Sequence, residues 1–151
     1  ALQGKKLPVY GDGKNVRDWL FVEDHAKAID MVQEQGRLFE TYNVGGHNEK
    51  QNIEIINIII DTLQEMLPAD DPRRALVSKD LITYVEDRKG HDRRYAIAPD
   101  KIKAEIGWYP ETDFATGIKK TIAWFFEHED WMKNVTSGDY QKYYDDMYAN
   151  K

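Results

Sequence analysis

"LPVYGDGKNVRDWLFVEDHAKAI", residues 7–29, is the stretch on which the fold turns. Pro8 biases Leu7 toward the β region, so "LPVY" reads as a short extended run, and "GDGKN" carries the residues that a tight loop requires. "VRDWLFV", residues 16–22, then reads as a strand. The two runs together predict a hairpin. From Glu23 the period changes: Val22, Ala26, Ile29 and Val32 recur at helical spacing, with Glu23 and Asp24 where the positive end of a helix dipole favours acids. This helix is expected to reach about Gln35 and to stop at Gly36.

Outward from that segment the pattern alternates. "TYNVGG", residues 41–46, predicts a buried strand ending in two glycines. Asn52 is a suitable N-cap for "IEIINIIIDTLQEML", whose apolar residues cover nearly the whole circumference and so imply a helix buried on more than one side. Pro68 ends it. "PADDPRRALVSKD" reads as a polar surface loop and "LITYV" as a strand. Pro99 suits the first turn of a short helix, "PDKIKAEI", packed through Ile102 and Ile106 and stopped by Gly107. A last long helix is expected from about Phe114 to His128, with Phe114, Ile118, Thr121, Ile122 and Phe125 on one face. The tail beyond it is aromatic yet polar, with Tyr140, Tyr143, Tyr144 and Tyr148. Strands alternating with helices predict an α/β unit, but three or four short strands make only an incomplete sheet.

Composition narrows the function. At 151 residues the chain suits one domain, and 41% hydrophobic residues suffice for a core. A formal net charge of -6 argues against a general nucleic-acid binder, whose affinity accumulates from many cations. The absence of cysteine removes disulfides, thiolate metal sites and thiol nucleophiles together, and fits a cytoplasmic location. No apolar run reaches membrane length and no signal peptide is visible. "NVT" at Asn134–Thr136 matches a glycosylation sequon by chance. The polar opening "ALQGKK", without an initiator methionine, reads as the start of a fragment.

Against this acidic background, "VEDRKGHDRRYAIAPDKI" gathers Arg88, Lys89, His91, Arg93 and Arg94 directly after a strand. A solvated charge run is the ordinary reading and an anion site the alternative. Other motifs fall away. Tyr10 and Lys14 match Tyr-x-x-x-Lys, but Pro8, Gly11 and Gly13 forbid the helix that would let the ammonium lower the phenol pKa. "VGGHNEKQN" stands between strand and helix like a phosphate loop, yet lacks the three-glycine spacing of a dinucleotide site. His25, His47, His91 and His128 have no metal-ligand spacing, and Ser78 and Ser137 lie in no nucleophile elbow.

At "LPVYGDGKNVRDWLFVEDHAKAI", "TYNVGGHNEKQN", "DRKGHDRRYAIAPDKI" and "GWYPETDFATGIKKTIAWF", the sequence resembles the dTDP-glucose 4,6-dehydratases of the extended short-chain dehydrogenase/reductase family. The resemblance covers essentially the whole chain but only the C-terminal part of that family. It implies the nucleotide-sugar-binding portion of an incomplete Rossmann-type α/β fold, whose absent N-terminal half would carry NAD and the catalytic residues. In the family, NAD oxidises the glucose of dTDP-glucose at C4, water leaves across C5 and C6, and the hydride returns to C6. This chain lacks the glycine fingerprint, the helical Tyr-x-x-x-Lys and the family's acidic pair, so no catalytic residue is expected in it. Full-length members are expected to be homodimers.

Binding residues can be carried over. Leu7, Pro8, Val9, Tyr10, Gly11, Asp12 and Gly13 match the family segment that lies along the thymidine nucleotide. Arg17 matches a diphosphate ligand, and its planar fork suits paired phosphate oxygens. Asn52 matches a nucleotide contact at a helix N-terminus that could face the anion. Asp87, Arg88 and His91 match the diphosphate and sugar contacts, and Tyr148 matches a tail tyrosine that reaches back to the substrate. The ordinary reading of Tyr10 is a strand aromatic, and that of Arg17 a surface salt bridge with Asp18 or Glu23. Arg93, Arg94 and Asp92 are read as structural ion pairs. Lys89 stands where the family usually has proline, so the loop lacks that rigid turn. Alternatives are a UDP-glucose 4-epimerase or UDP-glucuronate decarboxylase, which share the "RDWLFVEDHAKA" type of segment, and a binding module without chemistry.

Overall fold

The computed structural model describes residues 1–136 and 138. The chain divides into two compact units, Ala1–Ile118 and Lys119–Lys151. In order, the elements are β1 (Leu7–Tyr10), β2 (Val16–Asp18), α1 (Val22–Gln35), β3 (Glu49–Gln51), α2 (Asn52–Met66), β4 (Ile82–Val85), α3 (Asp100–Ile106), α4 (Phe114–Glu127) and α5 (Glu129–Val135).

The expected hairpin does not form. β1 pairs in parallel with β4, in the register Leu7 with Ile82 and Tyr10 with Val85, while β2 pairs antiparallel with β3. The reason lies in the loop between the two runs. Gly11 continues the β1 ladder by donating its N–H to the Val85 carbonyl at 2.9 Å, and the carbonyls of Gly13 and Asn15 accept from Ile53 and Asn52 at the start of α2. The loop is thereby drawn toward α2, and Val16 is carried away from β1. β2 is also shorter than "VRDWLFV" suggests, because Phe21 already serves as the N-cap of α1.

"TYNVGG" forms no strand either. Its Gly46 N–H goes to the Asp18 carboxylate instead of a ladder. Asn52 is the first residue of α2, not its cap. The cap is Gln51, which exchanges side-chain and backbone hydrogen bonds with Glu54 in a capping box. The polar loop after Pro68 contains two short 3-10 turns, Pro72–Ala75 and Lys79–Leu81, begun by the side chains of Asp71 and Ser78. α1, α2, α3 and α4 follow the helical periods of the sequence to within a residue or two. Gly107 ends α3 in the left-handed conformation, at φ 78°.

The core of the first unit gathers Ala28, Ile102, Ile106 and Trp108, with Leu20, Met31, Val32, Tyr42 and Val44 packed against them. Trp108 is buried with its polar edge satisfied, since its indole N–H donates to the Asp24 carbonyl at 3.1 Å. The Asp24 carboxylate accepts from the Thr112 N–H at 2.9 Å, which fixes the entry to α4. On α2 the fully buried positions are Ile55, Ile60, Thr62 and Leu63. The described part of the second unit carries an aromatic cluster in which Trp124 stacks on His128, with ring centroids 4.3 Å apart, and meets Trp131 edge-on. No described helix is long and apolar enough to cross a membrane.

Candidate functional site

The parallel register of β1 and β4 sets the C-terminal ends of both strands side by side, so the turn after Tyr10 lies against the segment after Val85. Gly11 adopts φ 57°, and a Cβ there would stand 2.9 Å from an Asp87 carboxylate oxygen. Glycine makes that approach without strain. Tyr10 consequently meets His91 edge-on at 6.5 Å, and the Arg88 guanidinium lies 5.4 Å from the centre of the Tyr10 ring.

β2 supplies the other wall. Val16 donates to the Arg93 carbonyl at 2.8 Å and accepts from the Tyr95 N–H at 3.0 Å, which holds residues 93–95 alongside it. Arg17 then donates to the carbonyls of Val16 and Asp92, at 2.6 and 3.0 Å, with its guanidinium 4.7 Å from the centre of the Tyr95 ring. Arg17, Arg88, Lys89, Gly90, His91, Asp92 and Tyr95 line one open cavity of about 210 Å³.

Charge within the basic segment is sorted by partner. Arg93 makes two hydrogen bonds to Asp12, and Arg94 makes two to Glu49. These two arginines are structural staples, as the sequence suggested, but Asp92, read with them as an ion pair, instead accepts from the Tyr95 hydroxyl. Arg17 and Arg88 differ: among the described residues each is held by an aromatic face or by carbonyls and neither forms an ion pair with a carboxylate. The Arg17 salt bridge to Asp18 or Glu23 is absent. Two guanidiniums without a carboxylate ion pair at one cavity present planar donor forks of the kind that suit an anion with paired oxygens.

The acids nearby are occupied. Asp87 accepts from the His91 ring at 2.6 Å and from the Arg88 N–H at 2.8 Å, and the His91 contact first of all holds its carboxyl below the usual range. The His91 side chain is only 6% exposed, so this bond fixes the ring's orientation. Hydrogen bonds from Arg93, and then from the Lys14 N–H, lower the Asp12 carboxyl to about 2.

Of the residues expected to bind, Tyr10, Arg17, Asp87, Arg88 and His91 are brought together. Leu7 and Pro8 lie in β1 as ladder residues, and Val9 is 2% exposed, so its side chain belongs to the core and is closed to a ligand. Gly13 is buried beneath α2, where a Cβ would meet Val9 and Ile53. The Asp12 carboxylate is committed to Arg93. The N-terminus of α2 is not an open anion seat, because the N–H groups of Asn52, Ile53 and Glu54 already have protein acceptors. Tyr148 lies outside the described residues.

Three lining residues, Gly90, Asp92 and Tyr95, were not expected at an anion site, while Lys89 belongs to the basic run that suggested one. Tyr95 directly follows the basic run, and an aromatic at that position was the available signal. Tyr10 and Lys14 are separated by a turn with Gly11 and Gly13 at φ 57° and 71°, so they share no helix. In the "VGG" bend the Asp18 carboxylate accepts from Gly46 and Asn48 N–H groups at 2.7 and 2.8 Å. Among the described residues no group of three His, Asp or Glu is placed to hold a metal.

A family model described as GDP-mannose 4,6 dehydratase matches residues 1–121. This chain belongs to that family. Within it, the chain is 49% identical over 151 residues to a dTDP-glucose 4,6-dehydratase of Shigella flexneri, covering all of this chain and 40% of the relative. It is 50% identical over 141 residues to the dTDP-glucose 4,6-dehydratase of Neisseria meningitidis, covering 93% of this chain and 39% of that protein. The chain thus spans about 40% of the length of these relatives. A crystal structure of dTDP-glucose 4,6-dehydratase from Bacillus anthracis in complex with NAD is similar at TM-score 0.75 and 47% identity, over 89% of this chain and 39% of that one. A Streptomyces venezuelae dTDP-glucose 4,6-dehydratase with NAD and TYD bound matches at TM-score 0.75 and 38% identity, over 86% and 37%. A Thermotoga maritima UDP-glucose 4-epimerase, at 24% identity and TM-score 0.69 over 83% and 36%, shares the fold. The resemblance read from the motifs and the incomplete Rossmann-type α/β fold both agree with these similarities.

Proposed function

We propose that this chain is the nucleotide-sugar-binding, C-terminal portion of an NAD-dependent dTDP-glucose 4,6-dehydratase of the cytoplasm. The observation that carries the reading is the pair Arg17 and Arg88, two cations without carboxylate partners among the described residues, facing one cavity beside Tyr10 and His91. The diphosphate of dTDP-glucose supplies the paired oxygens that such guanidiniums bind. Tyr10 offers a ring at the cavity's edge, and His91, oriented by Asp87, adds a donor. Identities of 49% and 50% to named dTDP-glucose 4,6-dehydratases support the choice of nucleotide sugar.

In this reading the chain binds and orients; it does not carry out the chemistry. NAD, when bound to the whole enzyme, accepts and returns the hydride. No residue here is assigned to it, because the two places that most resemble a dinucleotide seat, the "VGG" bend and the start of α2, have their amides occupied. The chain alone is expected to show no dehydratase turnover with added NAD.

Calorimetric titration of the full-length protein with dTDP-glucose and with UDP-glucose tests the reading. Tighter binding of the thymidine compound, weakened in Arg17→Ala and in Arg88→Ala, is expected. Unchanged affinity in both variants would overturn the site, and a preference for UDP would overturn the substrate.

A further inference from the structure

Tyr95 has no part in the binding set expected from sequence, yet it touches both charged groups that decide whether Arg17 is available. Its ring lies under the Arg17 guanidinium, 4.7 Å from centroid to Cζ. Its hydroxyl donates a short hydrogen bond to the Asp92 carboxylate. Its backbone N–H, bonded to the Val16 carbonyl, fixes the ring's position relative to β2. Asp92 in turn uses its carbonyl, not its carboxylate, to hold Arg17, at 3.0 Å, while the same carbonyl accepts from the buried Asn15 side chain at 3.2 Å.

Asp92 is the acid in the cavity lining, and the residue whose main chain already bonds Arg17. Left without a donor, its carboxylate would turn to the nearest uncompensated cation. An Arg17–Asp92 ion pair would cancel the charge that an incoming anion needs and would have to be broken on binding. We propose that Tyr95 is a positioning residue for the anion site: its ring supports the Arg17 guanidinium and its hydroxyl engages the Asp92 carboxylate, so that Arg17 stays free of an acid partner. The acid's pull keeps the Tyr95 phenol above its ordinary value, so the hydroxyl remains a donor across the physiological range. Tyr95 is 55% exposed, and its replacement leaves no cavity in the core.

This inference rests on the binding role given to Arg17 above, and the test separates the two. In the full-length protein, dTDP-glucose affinity is measured for Tyr95→Phe, Tyr95→Phe/Asp92→Asn, Arg17→Ala and Arg17→Ala/Tyr95→Phe. Tyr95→Phe keeps the ring and removes the hydroxyl, and is expected to weaken binding by roughly 5-fold, the scale of one charge-coupled contact. Adding Asp92→Asn removes the freed charge and is expected to restore affinity to within about 2-fold. In the Arg17→Ala background Tyr95→Phe is expected to have no further effect. A purely structural role for Tyr95 gives neither the rescue nor the loss of effect. Full affinity in Tyr95→Phe, or a loss that Asp92→Asn does not repair, overturns the inference while leaving the anion site standing. Full affinity in Arg17→Ala overturns the binding role given to Arg17 and this inference with it, while Arg88→Ala then decides whether the site stands.

Discussion

The Arg93 guanidinium closes on the Asp12 carboxylate from 81 positions along the chain, through hydrogen bonds of 2.8 and 3.1 Å. This staple joins the turn after β1 to the basic segment after β4, which with Arg17 of β2 lines the cavity.

Acid should open that staple. The Asp12 carboxyl is lowered from 3.8 to about 2, first by its hydrogen bond from Arg93. A carboxyl depressed on folding contributes stability that is present above its unfolded value and is lost as pH falls through its folded value. Thermal melts of the protein and of Asp12→Asn are therefore expected to differ at neutral pH and to converge as pH falls from 4 toward 2. A deficit that stays constant across that window would show that the ion pair is not its source.

Arg17 and Arg88, proposed to bind, should behave unlike the two staples. Arg17→Ala and Arg88→Ala are each expected to weaken dTDP-glucose binding in the full-length protein by roughly 1.5 to 3 kcal/mol, the usual range for hydrogen bonds to charged groups. Arg94→Ala, which breaks the pair with Glu49, should leave affinity unchanged. An equal loss in all three variants would mean that the measurement reports general charge and not a site.

Much of this division was legible in the sequence because it rests on local chemistry. Helical spacing located α1 to α4, and the contrast between an acidic chain and "DRKGHDRR" pointed to the proposed anion site, with Arg93 and Arg94 set apart as ion pairs. What stayed hidden was long-range pairing. β1 runs beside β4 and not beside its neighbour β2, and nothing within residues 7–18 encodes a parallel partner some seventy positions away. Tyr95 was missed for a related reason. Its importance comes from lying under Arg17, a relationship made by β2 and the 93–95 segment together. Asn52 shows the limit of cap rules: Gln51, one residue earlier, makes a capping box with Glu54, and an asparagine in the same place proved the more obvious but incorrect choice.

Glycine at position 46 is a steric requirement. A Cβ there would stand 2.3 Å from the Trp19 carbonyl oxygen. Gly46→Ala is expected to cost about 3 kcal/mol by urea denaturation, the upper end of the overpacking range, because the clash is with backbone. Gly90 has φ 74° with open space around it, so Gly90→Ala should show only the left-handed penalty of about 1 to 2 kcal/mol. Equal losses would contradict the packing described for the bend.

The core makes a conventional demand. Ile102 is fully buried among Ala28, Ile106 and Trp108, so Ile102→Ala should destabilise the chain by about 2 to 5 kcal/mol in the same measurement. Trp108→Phe also removes the bond to the Asp24 carbonyl, which keeps its helical partner within α1, so about 0.5 to 1.5 kcal/mol is expected for that hydrogen bond.

The bend at residues 44–46 brings its own counter-ion: Asp18 fills, by covalent attachment to the same chain, the seat that a free oxyanion takes in bends of this outline. Cutting that side chain back in Asp18→Ala would leave a vacant berth of matching charge and size. Formate, a carboxylate without a tether, would then be able to settle there and return the lost melting temperature, while the parent protein, its berth already taken, would ignore it.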